Sequence, residues 1–501
     1  METSSKTAGI KIYVALFLTI CLLPFVGMAW APTQSTSSSA ESVEAPQFIL
    51  EDDSVNIDFL SQLGGYFEDH FAYRNLAIDM DARIKVTLFK TSPTDQVIVG
   101  DDGWLYYGGE LADYQGLSPL TEREAKNIAH NLALVQGLTN ARGATFVFTV
   151  APNKSSLYPE HMPYYYLDEH DQSMELLKSC LKEEGVLYVD QFELFGAQSG
   201  ELYSKSDSHW NYEGALLATN ALLKACDKTS ASAGSSFVDE AFFGDIEKML
   251  YPLTAQPEAM PTLSTGPWDY KNSATSVEDS FIETGSKGKD TLLMFRDSFG
   301  DNLIPLMAPQ FERAFFSKLV PYDMTQLETL KPDYLIVERA QRHVGFIAEN
   351  PPVMLAPRVQ IKATSSIESN TSIEVIKDGN FWVVRGWVDE SCIGVDDDIF
   401  IQVKSADEVV SYVPFRVSGT VGTESNLTGP VDNAAGAAAD GAGRLGSMRS
   451  KPGQNGEGHV SDYGFKSFFS ATTLGESGYT ITILVSKPGS NEVVAVASAT
   501  F

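Results

Sequence analysis

The sequence predicts an α/β domain with a mainly parallel sheet, followed by an all-β domain and preceded by an apolar helix. Helical and strand patterns alternate over residues 48–348, which is typical of βαβ units with helices on both faces of the sheet. From residue 355 to residue 501, short β-rich runs follow one another without an amphipathic helix. The N-terminal helix is indicated by an apolar run near the start of the chain, interrupted only by Pro24.

Residues 12–30 read IYVALFLTICLLPFVGMAW, which is nearly long enough to span a hydrocarbon core of about 30 Å. Lys6 and Lys11 precede this run and acidic residues follow it, so we expect residues 1–11 in the cytoplasm and the bulk of the chain outside. The expected location is the cell membrane, with a single pass. A cleaved signal peptide is the second interpretation, because Ala29-Trp30-Ala31 fits a small-x-small cleavage site. The protein would then be secreted.

The composition limits the partners of the exported part. The chain of 501 residues has a formal net charge of −30, which argues against binding to nucleic acid and against adhesion to anionic lipid. The hydrophobic fraction of 43% is sufficient for a large core. The four cysteines are too few and too scattered for a disulfide scaffold or a zinc motif. Residues 31–47, rich in Pro and Ser, predict a linker.

The elements of the α/β domain follow from hydrophobic periodicity. Apolar residues at helical spacing predict a helix from Glu122 to Ala141, which Gly143 ends. Buried strands are predicted at Ala144–Val150, Val186–Val189, Leu292–Phe295 and Tyr334–Val337. In such sheets, ligands bind beyond the carboxyl ends of the strands.

The C-terminal part, residues 355–501, predicts a β-sandwich. Its expected strands are Ser372–Ile376, Phe381–Val388, Ile399–Val403, Val409–Val417 and Tyr479–Val485. Residues 426–459, rich in Gly, Ala and Asn, predict a long flexible loop.

Asp207 and His209 form the first candidate for chemistry. They lie two residues apart in Ser206–Asn211, just before a helix for which Asn211 is a plausible N-cap. Residues i and i+2 of an extended segment point to the same side, so Asp207 can fix the tautomer of His209 and leave its second nitrogen as a general base. A helix-capping loop fits the same pattern. The other histidines, His343 among them, lack a neighbouring acid and nucleophile and are interpreted as surface or packing residues.

Ser298 is the candidate nucleophile. It follows the strand Leu292–Phe295 at a strand-to-helix turn, where helix N-terminal N–H groups can stabilise an oxyanion. An N-cap serine fits the same position. Asn153 and Lys154 follow another strand, so Asn153 is a candidate oxyanion donor and Lys154 a candidate contact for an anionic or sugar group. A Pro-Asn turn explains this pair equally well.

These stretches together resemble a known family. Val97 to Tyr107, Ala151 to Lys154 with Tyr158-Pro159-Glu160, Ser206 to Gly214, and Phe295 to Phe299 are similar to SGNH-hydrolase-like exported proteins of the alginate O-acetyltransferase branch, including DHHW proteins. In this branch the Asp/His block precedes the serine block, as it does here. The resemblance covers roughly residues 95–340 and implies a three-layer α/β/α domain.

The resemblance implies acyl-ester chemistry on a glycan, with Ser298 as nucleophile, His209 as base, Asp207 as the residue that orients it, and Trp210 in a packing role. Two positions depart from the family pattern. Arg296 stands where a Gly-Asp-Ser block has Gly, and Ser208 stands where the DHHW name expects His.

We therefore expect an extracytoplasmic O-acetyltransferase for a cell-surface polysaccharide or wall glycan. The family context implies a membrane-bound O-acyltransferase as acetyl supplier and no metal or organic cofactor. A glycan acetylesterase with the same site and a non-catalytic glycan-binding scaffold are the alternatives. The acidic exported part favours a neutral or acetylated glycan over a highly anionic one, unless Arg296, Lys154 or Arg339 supplies a positive pocket near Ser298.

Overall fold

The computed structural model describes residues 2–28, 45–49, 54–168, 172–231, 236–406, 408–421, 459–471, 473–474 and 478–501. Its α-helices are α1 (Glu2–Met28), α2 (Phe59–His70), α3 (Arg74–Phe89), α4 (Leu111–Tyr114), α5 (Glu122–Ala141), α6 (Lys154–Leu157), α7 (Ser173–Glu183), α8 (Gln191–Gly196), α9 (Tyr212–Ala225), α10 (Asp245–Leu250), α11 (Ile304–Met307), α12 (Gln326–Leu330) and α13 (Phe346–Glu349).

The strands fall into a hairpin near the N-terminus, a central sheet, a second hairpin and the C-terminal sheets. They are β1 (Val97–Val99), β2 (Leu105–Tyr107), β3 (Thr145–Ala151), β4 (Tyr188–Val189), β5 (Ser236–Phe242), β6 (Glu258–Leu263), β7 (Trp268–Tyr270), β8 (Phe281–Ser286), β9 (Thr291–Phe295), β10 (Arg313–Ser317), β11 (Tyr334–Ala340), β12 (Arg358–Val359), β13 (Ser365–Ser366), β14 (Ser372–Asp378), β15 (Phe381–Trp387), β16 (Asp398–Lys404), β17 (Val409–Tyr412), β18 (Phe415–Val421), β19 (His459–Ser470), β20 (Thr480–Ser486) and β21 (Val493–Thr500).

The central sheet has the order β4-β3-β11-β9-β10-β8-β7. Strands β4, β3, β11, β9 and β10 are parallel, whereas β8 and β7 continue the sheet antiparallel. Ala340 pairs with Ala151, and Val337 pairs with Phe295, so the carboxyl ends of β3, β9 and β11 meet at one edge. The predicted α/β domain with a mainly parallel sheet is confirmed, and the antiparallel edge is an addition to it.

The centre of the sheet is covered on both faces because successive side chains of β9, Leu292 to Phe295, are apolar and buried. Leu292 and Met294 of β9 pack into one buried cluster with residues of α9 and α11. Leu293 and Phe295, with the opposite orientation, pack into a second cluster with residues of α5 and α7. The result is the expected three-layer arrangement.

Helix α5 has the bounds that the sequence predicts. Thr121 and Glu124 form a capping box at its start, since Thr121 Oγ accepts from the Glu124 N–H and the Glu124 carboxylate accepts from the Thr121 N–H. The expected strands are present with shifted ends: the segment predicted at Val186–Val189 is reduced to β4, and the run predicted at Val409–Val417 is divided into β17 and β18.

The C-terminal part forms two sheets, with the orders β12-β17-β16-β20-β21-β13 and β14-β15-β19-β18. Buried residues from both sheets share one core, as expected of a sandwich. Asn131 of α5 fixes this domain to the α/β domain, because its amide donates to Ile347 O and Arg416 O and accepts from Arg416 N. Residues 426–458 of the expected loop lie outside the described residues. Its last expected residue, His459, is the first residue of β19.

Helix α1 contains the apolar segment Ile10–Met28, which is long and apolar enough to cross a membrane and has little contact with the rest of the described protein. This segment fits a membrane anchor or a signal segment. Of the predicted linker 31–47, residues 31–44 lie outside the described residues, as does the cleavage pattern at residues 29–31.

Candidate active site

Three loops that carry candidate residues meet at the carboxyl edge of the central sheet. Asn153 follows β3, Ser298 follows β9, and Arg342 follows β11. These three strands are parallel neighbours, so their ends lie side by side. The segment that carries Asp207 and His209 joins this edge, because Asn302 Nδ2 donates to Trp210 O at 3.1 Å. The site therefore has the position that a parallel sheet favours for ligands.

Asp207 and His209 are hydrogen-bonded to each other. His209 Nδ1 lies 2.7 Å from Asp207 Oδ1, and the same oxygen accepts from the His209 N–H at 2.9 Å. Immediately afterwards Asn211 caps α9, since its Oδ1 accepts from the Gly214 N–H. The expected N-cap is confirmed. The backbone and side-chain bonds to one carboxylate orient the imidazole with Nε2 directed away from Asp207.

Asp245, the first residue of α10, is a second carboxylate at this histidine. Its Oδ2 lies 3.7 Å from His209 Nδ1 and accepts from Ser208 Oγ at 2.5 Å, while its N–H donates to Asp207 Oδ2 at 2.9 Å. Ser208 stands at the position where the DHHW name expects a histidine. Its hydroxyl connects Asp245 to the segment that contains His209. The sequence reasoning missed Asp245, because no local motif marks a contact between residues 38 positions apart.

These groups shift the pKa values of one another. Burial opposes the charged form of His209, but the hydrogen bond and charge of Asp207 outweigh it and raise the pKa of His209 to about 9. Burial also opposes ionisation of Asp207, whose pKa is nevertheless lowered to about 2 by the hydrogen bond and charge of His209. Burial and the charge of Asp207 raise the pKa of Asp245 to about 6.

Ser298 begins a 3₁₀ turn, Ser298–Asn302, that is fixed by the preceding residue. The carboxylate of Asp297 accepts from the N–H groups of Phe299 at 3.0 Å and Ala340 at 2.7 Å, which ties the turn to the end of β11. The ring of Phe299 packs edge-on against the ring of His209, with 4.9 Å between centroids. Ser298 is therefore adjacent in sequence to Phe299, whose ring contacts His209.

The hydroxyl of Ser298 does not bond to His209 in this structure. Within the described residues, Ser298 Oγ makes no hydrogen bond, and His209 Nε2 is buried without a hydrogen-bond partner. Such bonds are often long or poorly aligned before substrate binds. The observed contact of the His209 ring is with Phe299, the residue that follows the half-buried Ser298.

Arg296 is buried beneath the turn. Its guanidinium pairs with Asp301 and donates to Val277 O at 2.8 Å and Asp279 O at 3.0 Å. Gly300 packs on the Arg296 side chain so closely that a Cβ at position 300 would lie 2.7 Å from Arg296 Cβ. Arg296 therefore stabilises the turn through both terminal nitrogens of its guanidinium, and its Nε is buried without a hydrogen-bond partner in the described part of the chain.

Lys154 is also fully buried, and its three ammonium protons are used. Lys154 Nζ donates to Leu105 O at 2.6 Å, Lys205 O at 2.9 Å and Asp207 O at 3.0 Å. The sequence predicted that Lys154 contacts an anionic or sugar group. In the structure, backbone carbonyls surround its ammonium instead. Through Asp207 O, Lys154 holds the segment that contains the Asp–His pair.

Asn153, Trp210 and Arg339 are likewise buried at the site. The Asn153 amide donates to Asp113 Oδ2 at 2.8 Å, and its Oδ1 is buried without a partner in the described part of the chain. Trp210 packs on Phe299 with 5.0 Å between ring centroids, as a packing role requires. Arg339 lies over the ring of Tyr322 at 5.5 Å.

Arg342 leaves two buried donors without a hydrogen-bond partner among the described residues, whereas Arg296 and Arg339 each leave one, Nε. The Arg342 guanidinium lies 5.3 Å from the ring centroids of both Phe299 and Tyr107, and its nearest carboxylate is Glu110 at 3.6 Å. Its Nε and Nη1 are buried without a hydrogen-bond partner among the described residues. The sequence reasoning missed Arg342, although its place directly after β11 is the signal that could have found it.

His343, interpreted from the sequence as a surface or packing residue, lies beside the serine turn. Its Nδ1 is 3.5 Å from Asp297 Oδ2. Burial opposes ionisation of Asp297, but the hydrogen bond and charge of His343 and the charge of Arg339 bring the pKa of Asp297 well below its usual range. His343 is thus a neighbour of the site that local sequence context did not reveal.

One group of donor atoms is compatible with a metal ion. Asp207, His209 and Asp245 each offer a ligand atom within 4.8 Å of the others. In this structure the same atoms already take part in the hydrogen bonds described above, which account for their proximity. No step of the chemistry considered below requires an ion.

The comparisons define the class of this domain. Residues 97–261 match the family described as SGNH hydrolase-like domain, acetyltransferase AlgX. The segment includes Asp207 and His209 and ends before Ser298. It confirms the resemblance to SGNH-hydrolase-like proteins of the alginate O-acetyltransferase branch and the SGNH-like fold of the α/β domain.

Individual relatives carry the name probable alginate O-acetylase AlgJ. The protein of Pseudomonas syringae pv. tomato is 26% identical over 275 residues, which are 51% of this chain and 66% of the relative. The Pseudomonas aeruginosa protein is 27% identical over 159 residues, which are 30% of this chain and 38% of the relative. These alignments thus leave a third or more of each relative unmatched.

Solved structures with a similar arrangement include the O-acetyltransferase domain of Pseudomonas putida AlgJ, with a TM-score of 0.36 and 17% identity over 50% of this chain and 92% of that one. Bacillus cereus PatB1 has a TM-score of 0.40 and 16% identity over 50% of this chain and 98% of that one. A DHHW family protein from Eubacterium siraeum has a TM-score of 0.38 and 14% identity over 50% and 95%.

Proposed function

We propose that the chain is an extracytoplasmic O-acetyltransferase that acts on a cell-surface polysaccharide or wall glycan through Ser298, His209 and Asp207. The observation that carries the proposal is the hydrogen-bonded Asp207–His209 pair beside the serine turn at the carboxyl edge of a parallel sheet. The similarity to proteins named alginate O-acetylases supports acetyl transfer to a glycan.

The reaction proceeds in two steps, acetylation of Ser298 and transfer of the acetyl group to the glycan. Ser298 Oγ attacks the acetyl carbonyl of the donor while His209 Nε2 takes the hydroxyl proton, the bond to the leaving group breaks, and His209 returns the proton to that group. A sugar hydroxyl then attacks the acetyl-serine, His209 takes its proton, and the ester bond to Ser298 breaks as Oγ is reprotonated. Asp207 stabilises the imidazolium in both steps. The buried donors of Arg342 stabilise the oxyanion.

The proposal includes a membrane-bound O-acyltransferase as the acetyl supplier and a single-pass anchor at residues 10–28, with the bulk of the chain outside. The supplier follows from the family resemblance.

The test compares Ser298→Ala with Ser391→Ala, whose hydroxyl bonds to Asp389 in the β domain. We expect Ser298→Ala to lose labelling by a fluorophosphonate, hydrolysis of a chromogenic acetyl ester and acetylation of the surface glycan, while Ser391→Ala retains all three. Labelled acetyl donor supplied with oligosaccharide and water then separates transfer from the esterase alternative. Unchanged activities of Ser298→Ala in all three assays would exclude the acyl-enzyme.

A non-catalytic scaffold is the second candidate, and one observation favours it: Nε2 of His209 is buried beside Phe299 and has no bond to Ser298. In that case the parent chain binds glycan without reacting with the fluorophosphonate. An enzyme reacts at Ser298, and the label disappears in His209→Ala as well as in Ser298→Ala.

A further inference from the structure

Helix α3 has two faces of different character. Asn75, Asp79 and Ala82 are buried against the α/β domain. Asp79 Oδ1 accepts from the Leu253 N–H at 3.2 Å, and the Arg83 guanidinium lies 5.0 Å from the ring centroid of Tyr251. This face fixes α3 beside α10.

The other face is an apolar stripe exposed to solvent. Its members recur every fourth residue and are between 45% and 69% exposed: Leu76, Met80, Ile84 and Leu88. Residues four apart lie along one side of a helix, so the four side chains form a continuous surface. A stripe of large apolar side chains along one helix of an exported protein is typical of a surface that binds something apolar.

The end of α1 contacts α2 and the residues that directly precede α3. Phe25 of α1 stacks on Phe67 of α2 with 4.1 Å between ring centroids, and the Ala72 N–H donates to Pro24 O at 3.4 Å. Gly27 packs on Ala72 so closely that a Cβ at position 27 would come within 2.5 Å of the Ala72 side chain. The stripe therefore begins four residues after a contact with the segment that is apolar enough to cross a membrane.

The charge of α3 also differs from that of the whole chain. Residues 74–90 contain four basic and two acidic residues, although the chain as a whole has a net charge of −30. One of the two acids, Asp79, is buried against the domain. Arg83 bonds to Thr254 and Lys85 pairs with Asp81, so the basic excess at the surface comes from Arg74 and Lys90 at the two ends of the helix. An apolar face flanked by basic residues is the composition of helices that lie in the interface of an anionic bilayer. The net charge of −30 argued against binding of the whole chain to anionic lipid, but the charge of α3 has the opposite sign.

The geometry points to a bilayer-binding role for α3: Leu76, Met80, Ile84 and Leu88 insert into the interface of the same phospholipid membrane that α1 crosses. The domain is then held at the membrane through the buried face of α3. Because α3 packs on α10, and α10 begins with Asp245, the site that includes His209 is kept in a fixed orientation to the bilayer. This role goes beyond the proposed acetyl transfer and does not depend on it, but it rests on the proposed membrane anchor in α1.

The test measures the depth of single labels in the full chain, reconstituted in bilayers of phosphatidylethanolamine and phosphatidylglycerol. A background with Cys21→Ser and Cys392→Ser receives a spin label at Ile84→Cys or, as control, at Asp269→Cys, whose side chain is 80% exposed on the edge strand β7. We expect the label at position 84 to lie about 5–10 Å below the headgroup boundary. We expect the control label to have the accessibility of free solution.

A third variant that retains Cys21 reports the membrane segment, and its label should be protected by lipid. Equal water accessibility at positions 84 and 269 would overturn the proposal, as would a water-accessible label at Cys21. Protection of position 84 that disappears when the protein is diluted in excess lipid would assign the stripe to a second protein chain instead. Thermal unfolding of Ile84→Cys should match that of the parent, since the side chain is 52% exposed.

Discussion

Replacing Lys154 by Met tests whether a buried ammonium holds the Asp207 segment in place. Burial lowers the pKa of Lys154 to about 8, although the charges of Glu110 and Asp207 oppose this shift, so the side chain is mainly cationic at neutral pH. Three backbone carbonyls accept hydrogen bonds from Nζ, and the ring centroid of Trp104 lies 5.0 Å from Nζ. Met preserves most of the volume of the stem and removes only the donors.

The expected loss follows from these contacts. Hydrogen bonds from a charged donor contribute roughly 1.5–3 kcal/mol each, and removal of the cation also removes a desolvation cost of several kcal/mol. For three such bonds we expect a net loss of about 3 kcal/mol in the free energy of unfolding. In a domain of this size, that corresponds to a decrease in Tm of about 6–12 °C. Because Asp207 O loses its donor, the imidazole is displaced and kcat falls about 100-fold.

Lys205→Met is the matched control. Lys205 Nζ lies 5.7 Å from the same Trp104 ring, but its side chain is 37% exposed and pairs with Glu201 at 3.3 Å. Calorimetry and hydrolysis of a chromogenic acetyl ester measure both variants. The control should remain close to the parent. If Lys154→Met unfolds at the same temperature and reacts at the same rate as Lys205→Met, the ammonium does not hold the segment and the reasoning is refuted.

Three further predictions concern the site and the domain junction. Asp207→Asn should lower kcat/KM for ester hydrolysis about 10⁴-fold and move the ascending limb of its pH profile to lower pH, because Asp207 raises the pKa of His209. Arg342→Met should lower kcat/KM about 100-fold, since its buried donors are unused in the resting structure. Asn131→Ala should destabilise the chain by about 2–4 kcal/mol in chemical denaturation, because it breaks three buried hydrogen bonds, whereas Gln136→Ala on the exposed side of α5 should cost less than about 1 kcal/mol.

Each of these predictions has an outcome that contradicts it. An unmoved pH limb in Asp207→Asn means that another group sets the titration of His209. A fall in Tm without a change in kcat/KM makes Arg342 a structural residue. Equal stabilities of the two α5 variants mean that the domain junction does not depend on Asn131.

The fold was accessible from the sequence where local signals agree. Helix α5 starts at a capping box built by Thr121 and Glu124 and ends before Gly143, so both of its ends are encoded within a few residues. The antiparallel strands β7 and β8 were missed because they are short and only partly buried, and pairing partners are not encoded in local periodicity.

The candidate site was accessible only in part. The Asp207–His209 hydrogen bond followed from a spacing of two residues, whereas Asp245 reaches the same histidine across a hairpin and a helix start. Lys154 and Arg339 were identified as basic residues at the right edge of the sheet, but residue type does not reveal whether backbone carbonyls, aromatic rings or a ligand receive the charge. The three ammonium donors of Lys154 are all used, whereas Nε of Arg339 and both Nε and Nη1 of Arg342 are buried without a hydrogen-bond partner among the described residues.

Arg296 stands where a Gly-Asp-Ser block has glycine, and any residue with a Cβ makes such a turn less permissive. In the structure Arg296 occupies an ordinary backbone conformation, since it is absent from the positive-φ residues, and the close approach has moved to Gly300. The guanidinium joins the turn at Asp301 to the carbonyls of Val277 and Asp279. An arginine here therefore stiffens the base of the turn, and a stiff turn favours a fixed nucleophile. The departure from the family pattern is therefore compatible with catalysis at Ser298. The scaffold alternative then rests on one observation, the buried Nε2 of His209 that has no bond to Ser298.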